Sequence, residues 1–326
     1  MDLKEFLAEW HNDSPTVLVH TSGSTGKPKP MWVEKRRMEA SARMTCDFLG
    51  LREGDTALLC LPLDYIAGKM VVVRSLVRGL RLVCVELSGE PLSTETERID
   101  FAAMVSMQVW NSLQVPEQRE RLMQIRQLII GGGAIDEELE QALQDFPHAV
   151  WSTYGMTETL SHIALRRING AQRDDHYTPF EGVGISLNDE GCLVIDAPAV
   201  CPPPLTTNDR ASLADDGRRF SILGRRDNVI CSGGIKLQTE EIERKLRTRL
   251  HVPFMVTKRR DAALGEAVIL LVEDRDTEQY QAVCRDTLYK YERPKLILSV
   301  ERIPLTETGK PARKEAEEMA NRSAHR

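Results

Sequence analysis

Short apolar runs at positions 16–20, 56–61, 81–85, 127–130 and 149–153 alternate with longer stretches at 34–49, 66–80, 116–126 and 136–145, where apolar residues recur at helical spacing. The first set has strand length and the second helix length. Strands alternating with helices predict a largely parallel sheet covered by helices. Turns such as Arg52-Glu53-Gly54-Asp55 punctuate the pattern. Past residue 180 the texture changes. Residues 181–200 read as short strands with glycine turns, and Cys201-Pro202-Pro203-Pro204 then stiffens the chain. From about Arg225 a smaller unit begins, with a strand near Val229, a helix from Thr239, strands at 253–258 and 267–273, a helix near 277–289 and a strand near 295–300. Thr239 is expected as the helix N-cap, its hydroxyl accepting a free backbone N–H. Glu240 and Glu241 then suit the positive end of the helix dipole. The expected fold class is α/β, with a large domain over 1–225 and a small α+β domain over 226–326.

Composition narrows the function classes. The 326 residues suit two domains, and 41% hydrophobic content is ample for a core. A net charge of −6 gives no reason to expect nucleic acid or a membrane surface as partner. The basic clusters Lys35-Arg36-Arg37, Arg166-Arg167 and Lys258-Arg259-Arg260 read as solvated faces. Seven scattered cysteines without a CxxC pair argue against a disulfide framework and a structural zinc site. They fit reduced thiols in a cytoplasmic protein. The start, MDLKEFLAEWHND, is too polar for a signal peptide. No apolar run approaches the ~20 residues that span a bilayer. Oligomeric state is left open, a homo-oligomer included.

The strongest local signal is His20-Thr21-Ser22-Gly23-Ser24-Thr25-Gly26-Lys27-Pro28-Lys29, directly after an expected strand. Glycines let backbone approach an anion, and successive N–H groups form a concave site for it. Hydroxyls and lysines add donors and charge, as a polyphosphate needs. The spacing is not that of a Walker loop, because only two residues separate Gly23 from Gly26 and a proline follows Lys27. No GxGxxG follows the first strand, which disfavours a dinucleotide-binding oxidoreductase. A second signal, Tyr154-Gly155-Met156-Thr157-Glu158-Thr159, offers an aromatic for a base, a hydroxyl for a phosphate and a carboxylate for Mg²⁺. Taken alone it could equally be a helix start. Gly131-Gly132-Gly133 likewise could be only a tight turn.

The ordered combination is more specific: TSGSTGKPK, GGG, YGMTET, Thr207-Asn208-Asp209, Gly224-Arg225-Arg226-Asp227, Ser232-Gly233-Gly234 and Thr308-Gly309-Lys310. This series resembles the adenylate-forming superfamily of acyl-CoA synthetases, peptide-synthetase adenylation domains and luciferases, from about Leu18 to Arg313. The resemblance implies ATP, Mg²⁺ and coenzyme A as cofactors and a small carboxylic acid as substrate. It implies that Thr21, Ser22, Gly23, Ser24, Thr25, Gly26, Lys27 and Lys29 cover the ATP phosphates. Gly132 and Gly133 would lie against adenine, with Tyr154 stacking on it. Thr157 would touch the α-phosphate and Glu158 would bind Mg²⁺. Asp209 would hold the ribose hydroxyls, and Arg225 would also reach the nucleotide. Asp227 matches a hinge about which the small domain moves. Lys310 matches the lysine that serves the first half-reaction, and Gly233-Gly234 would face the pantetheine arm.

Two departures stand out. The family carries a much longer segment before the TSGSTG loop, whereas 20 residues precede it here, so a reduced flanking subdomain is expected. Asn208 replaces a glycine and is expected to take glycine-like backbone angles. For the acid, residues 154–165 (YGMTETLSHIAL) are similar to the corresponding run of o-succinylbenzoate–CoA ligases of menaquinone biosynthesis. Residues 61–68 resemble the segment lining the acyl pocket, which places Tyr65 there. The second carboxylate of such an acid needs a cation or several donors, and Lys69, or Ser161 with His162, are the expected suppliers. Other aryl- or acyl-CoA ligases, an enzyme loading a carrier protein, and a non-catalytic nucleotide-binding relic remain as alternatives.

Overall fold

The computed structural model describes residues 1–20, 30–94, 97–133, 135–306 and 311–322. It opens with α1 (Leu3–His11), where Asp2 and Glu5 form a reciprocal capping box and Phe6 is buried. An acidic N-cap followed three residues later by Glu is a sequence signal for this helix. Next, β1 (Thr16–His20) and β2 (Pro30–Glu34) pair antiparallel as a two-stranded ribbon. The expected strand at 16–20 therefore exists but stands outside the main sheet. The helix α2 (Lys35–Leu49) follows and ends on Gly50 at φ 64°.

The central layer runs β3 (Thr56–Leu59), α3 (Ile66–Arg78), β4 (Arg81–Cys84), β5 (Phe101–Val105), α4 (Ser106–Gln114), α5 (Pro116–Met123), β6 (Gln127–Gly131), α6 (Glu137–Ala142), β7 (Ala149–Gly155), β8 (His162–Arg167) and β9 (Thr178–Pro179). These strands form one sheet in the order β4-β3-β5-β6-β7-β8-β9. The first five are mutually parallel, while β8 and β9 run antiparallel at the edge. Strand β5, in the middle of the sheet, was not among the expected strands. Its sequence FAAMV has Val105 as its one β-branched residue and two alanines, which are depleted in strands, at its centre, yet its first four residues are buried.

Four antiparallel strands follow: β10 (Gly184–Leu187), β11 (Cys192–Ala197), β12 (Cys201–Leu213) and β13 (Phe220–Arg225). Asn208 lies within β12, beside the Asp209–Arg225 pair. Among the described residues only Leu160 has positive φ without being glycine. The expected glycine-like angles at Asn208 are thus not adopted, because strand pairing keeps the backbone extended.

The remaining chain forms β14 (Val229–Ser232), β15 (Ile235–Gln238), α7 (Thr239–Arg247), β16 (Phe254–Asp261), β17 (Gly265–Val272), α8 (Gln279–Thr287), β18 (Leu296–Ser299) and α9 (Arg313–Arg322). Strand β17 is apolar throughout its last six residues because both its faces are covered. Val268 and Leu270 pack with Ile242 and Leu246 of α7, whereas Ile269 and Leu271 pack with Ala316 and Ala320 of α9. This alternation is the period of two of a strand. Thr239 is the first helical residue and not the cap. Gln238 holds the cap position without a side-chain bond, and the Thr239 hydroxyl instead bonds the Glu240 carboxylate at 3.0 Å. Among the described residues no helix is long and apolar enough to cross a membrane.

Candidate active site

After β3 the chain steps to β4 on one side, then returns to place β5 on the other. Such a reversal leaves a crevice at the carboxyl ends of the strands, where open α/β sheets bind ligands. A cavity of about 1880 Å³ lies there. Its walls include Leu61 after β3, Val105 of β5, Gly131 of β6 and Thr153 to Gly155 of β7. Strand β13, α7, β16 and α9 close the other side. The volume exceeds the roughly 300–1,000 Å³ of a pocket for one small ligand.

One end gathers Gly132, Gly133, Tyr154, Asp209 and Arg225, all lining the cavity. Gly132 has φ 87°, and the position a Cβ would take on Gly133 meets nothing within 4 Å, which leaves bare backbone for a flat ligand to approach. The Tyr154 ring packs edge-on against Phe220 and beside Tyr177. Its hydroxyl donates to Asp209 Oδ2 at 2.7 Å. Burial, and then the Asp209 charge, push the Tyr154 phenol up, so it stays a donor. Arg225 stands 3.7 Å from Asp209 and 3.1 Å from Asp227. Asp227 sits on a 3₁₀ turn (Arg226–Asn228) joining the four-stranded sheet to β14.

The other end is built by α3 and the β7–β8 connection. Arg74 is 1% exposed and lines the cavity. It donates to Ser161 Oγ at 2.8 Å. Its Nε has no hydrogen-bond partner, and no carboxylate lies within ion-pair distance among the described residues. Burial lowers its pKa to about 10, which leaves it charged at neutral pH. Ser161 and His162 also line the cavity. His162 Nδ1 is 3.2 Å from Ser161 Oγ and its Nε2 is 3.1 Å from Thr45 Oγ1. Burial first, and then Arg74, hold His162 well below its ordinary value. The connection itself is pinned by Thr159, whose hydroxyl meets the carbonyls of Met156 and Ser161. Gly155 is required there, since a Cβ would fall 2.3 Å from the Ser161 carbonyl oxygen.

Lys69 does not join this group. Its ammonium is 3.5 Å from Glu9 of α1 and 5.0 Å from the centre of the Phe6 ring, and it is absent from the cavity wall. Five residues turn a helix by about 140° beyond a full circle, so Lys69 and Arg74 cannot share a face. Sequence reading missed Arg74 because an arginine in a helix ordinarily reads as surface. Tyr65 is 38% exposed at the N-cap of α3 and also lies outside the wall.

Thr157 is buried on a 3₁₀ turn (Thr157–Thr159) and lines the cavity, whereas Glu158 beside it is exposed. Gly233 and Gly234, at φ 58° and 83°, make the tight β14–β15 turn away from this cavity. Thr21 to Lys29 lie outside the described residues, as does Lys310. On either side of the segment bearing Lys310, Thr306 and Pro311 both line the cavity.

A family model described as AMP-binding enzyme matches residues 4–207. The chain belongs to the AMP-binding enzyme family. Among its relatives in this family, the 2-succinylbenzoate–CoA ligase of Listeria monocytogenes is 26% identical over 96% of this chain and 72% of its own length. The one from Bacillus mycoides is 25% identical over 95% and 71%. An acyl-CoA synthetase (AMP-forming)/AMP-acid ligase II-like protein from Dyadobacter fermentans shares 32% identity, with a TM-score of 0.66 over 97% of this chain and 92% of that one. The o-succinylbenzoate CoA synthetase of Bacillus subtilis, solved with its acyl-adenylate intermediate, superposes with a TM-score of 0.77 at 23% identity, over 92% of this chain and 68% of its own.

Proposed function

We propose that this AMP-binding enzyme activates o-succinylbenzoate with ATP and transfers the acyl group to coenzyme A. The observation that carries the choice of acid is Arg74. A buried guanidinium without a counter-charge is costly, and a substrate carboxylate would supply that charge while accepting from its unsatisfied Nε. An aryl dicarboxylate would keep its other carboxylate for reaction. The relatives named as 2-succinylbenzoate–CoA ligases support the same acid.

In the first step a carboxylate oxygen bonds to the α-phosphorus of ATP, the bond to the β-phosphate oxygen breaks, and pyrophosphate leaves. Both reactants are anions, so positive charge must offset their repulsion as negative charge moves onto the leaving oxygens. Lys310 and the lysines of the Thr21–Lys29 segment are assigned that role, a lysine acting as a mobile point charge. Glu158, an exposed carboxylate beside the cavity-lining Thr157, fits a Mg²⁺ that takes one or two protein carboxylates and keeps phosphate and water as its other ligands; such an ion supplies charge neutralisation on the phosphates. Gly132 and Gly133 offer backbone to adenine, Tyr154 walls the base, and Asp209 with Arg225 meets the ribose. In the second step the coenzyme A sulfur bonds to the acyl carbon and AMP leaves. The unit from residue 226 onward is assigned the turn about Asp227 that withdraws Lys310 and brings Gly233-Gly234 to the thiol.

Pyrophosphate release, with and without coenzyme A, is the test. Turnover on o-succinylbenzoate should be coenzyme A-dependent and lost in Lys310→Ala. Arg74→Met should raise the KM for this acid by about 100-fold or more, as expected when a buried charged hydrogen bond is lost. Turnover on other acids in preference would move the substrate, and no pyrophosphate with any acid would remove the proposal.

A further inference from the structure

Thr45 occupies α2, a helix that contributes no residue to the cavity wall, and it is fully buried. A buried threonine inside a helix needs an explanation, because valine would pack there without a hydroxyl to satisfy. The hydroxyl bonds back to the Ser41 carbonyl at 3.1 Å, a local bond that slightly disfavours the helix. It also faces His162 Nε2 at 3.1 Å.

The polarity of this series follows from its two ends. A guanidinium can only donate and a carbonyl can only accept. The Thr45 proton goes to Ser41, so toward His162 the Thr45 oxygen accepts, and Nε2 carries hydrogen. A neutral imidazole then has a bare Nδ1, which accepts from the Ser161 hydroxyl. The Ser161 oxygen is left with lone pairs toward Arg74. The groups around the imidazole come from each neighbouring element: Thr45 from α2, Arg74 from α3, Ser161 before β8, and the Phe180 ring edge-on at 5.5 Å. None is a carboxylate, and Arg74 opposes a second positive charge.

We propose that Thr45 is a positioning residue: through His162 and Ser161 it holds the Arg74 guanidinium in the orientation that receives a second carboxylate, and so favours a dicarboxylic over a monocarboxylic acid. This deepens the reading of Arg74 given above and rests on it. The Thr45 hydroxyl never touches substrate. Without it, Nε2–H loses its acceptor, the imidazole is free to turn, and Ser161 no longer presents a fixed oxygen to Arg74.

The test compares o-succinylbenzoate with its two mono-acid analogues, 3-benzoylpropionate and 2-butanoylbenzoate, each lacking one carboxylate. In Thr45→Val the KM for o-succinylbenzoate should rise about tenfold, the scale of one lost hydrogen bond, with kcat changed less than about twofold. The KM of whichever mono-acid is turned over should not move. Thr45→Ser should restore the original value. The double variant Thr45→Val/Arg74→Met should match Arg74→Met alone, since residues acting in series are not additive. An equal rise for both kinds of acid, or an additive double variant, would overturn the proposal. If Arg74→Met itself leaves the o-succinylbenzoate KM unchanged, the reading of the acid site fails. If only Thr45→Val is silent, the relay fails and that reading stands. Nitrogen-15 spectra of the unaltered protein need no folded variant at position 45. The His162 signal, identified by its loss in His162→Gln, should be that of the neutral ring protonated on Nε2, and an Nδ1-protonated or cationic ring would overturn the relay.

Discussion

A histidine that stays neutral inside the protein leaves a mark on stability. His162 has its pKa held well below the ordinary value by burial and by Arg74. Below about pH 6.5 the unfolded chain binds a proton there that the folded protein refuses, so stability present above that pH is lost as pH falls. The slope from this group approaches about 1.4 kcal/mol per pH unit. Urea unfolding of wild type and His162→Gln between pH 7.5 and 5.5 should therefore give curves that converge on acidification. Parallel curves would mean that the folded imidazole takes up the proton. Gly132, Tyr154 and Asp209 stood out only through the ordered combination of motifs, since GGG and YGMTET taken singly could be a turn and a helix start, and the fold brings the three residues to one cavity. At the other end of the cavity Ser161 and His162 were expected, but Arg74 was not. Arg74 and Thr45 lie in helical stretches where a polar residue reads as solvated, and only the packing of α3 and α2 reveals that both are buried.

At the scale of elements, α1 and α3 are joined by a charged contact in an apolar setting. Lys69 is 2% exposed, between Glu9 and the Phe6 ring, and Glu9 Oε1 also accepts from the Leu18 N–H at 3.1 Å. Removing the cation leaves the partly buried Glu9 carboxylate short of its counter-charge, at a cost of about 1–3 kcal/mol. Lys69→Ala should accordingly lower the melting temperature, while the KM ratio between dicarboxylic and simple aryl acids stays that of wild type. A changed ratio would return Lys69 to the substrate site. The helix α1 was not among the expected helices, although Asp2 and Glu5 are a capping pair spaced for a helix start. The misplacement of β1 has a different origin. Its short apolar run identifies a strand but says nothing of its partner, and β2 lies beyond the TSGSTGKPK segment.

Across the whole molecule, the segment carrying Lys310 is anchored just beyond its end. Arg313 donates to both Glu243 carboxylate oxygens, at 2.6 and 2.7 Å, and to the Val256 carbonyl at 2.9 Å. One side chain thereby ties α9 to α7 and β16. Arg313→Met should destabilise the chain by about 3 kcal/mol, the low end for a broken buried pair, and should reduce adenylate formation more than substrate binding. Thermal melts and pyrophosphate assays on the same preparation would check both, and unaltered melting would show that the pair is dispensable. The parallel sheet places its own condition on how the protein is made. Strand β5 lies between β3 and β6, with β4 on the far side of β3, so its pairing with β3 joins residues more than forty positions apart. Non-local pairing of this kind is slow, and until it happens two strand edges stand open to other chains. A residue at Phe101–Val105 that favours docking of this strand should therefore raise the yield of refolded enzyme, by shortening the interval in which aggregation competes.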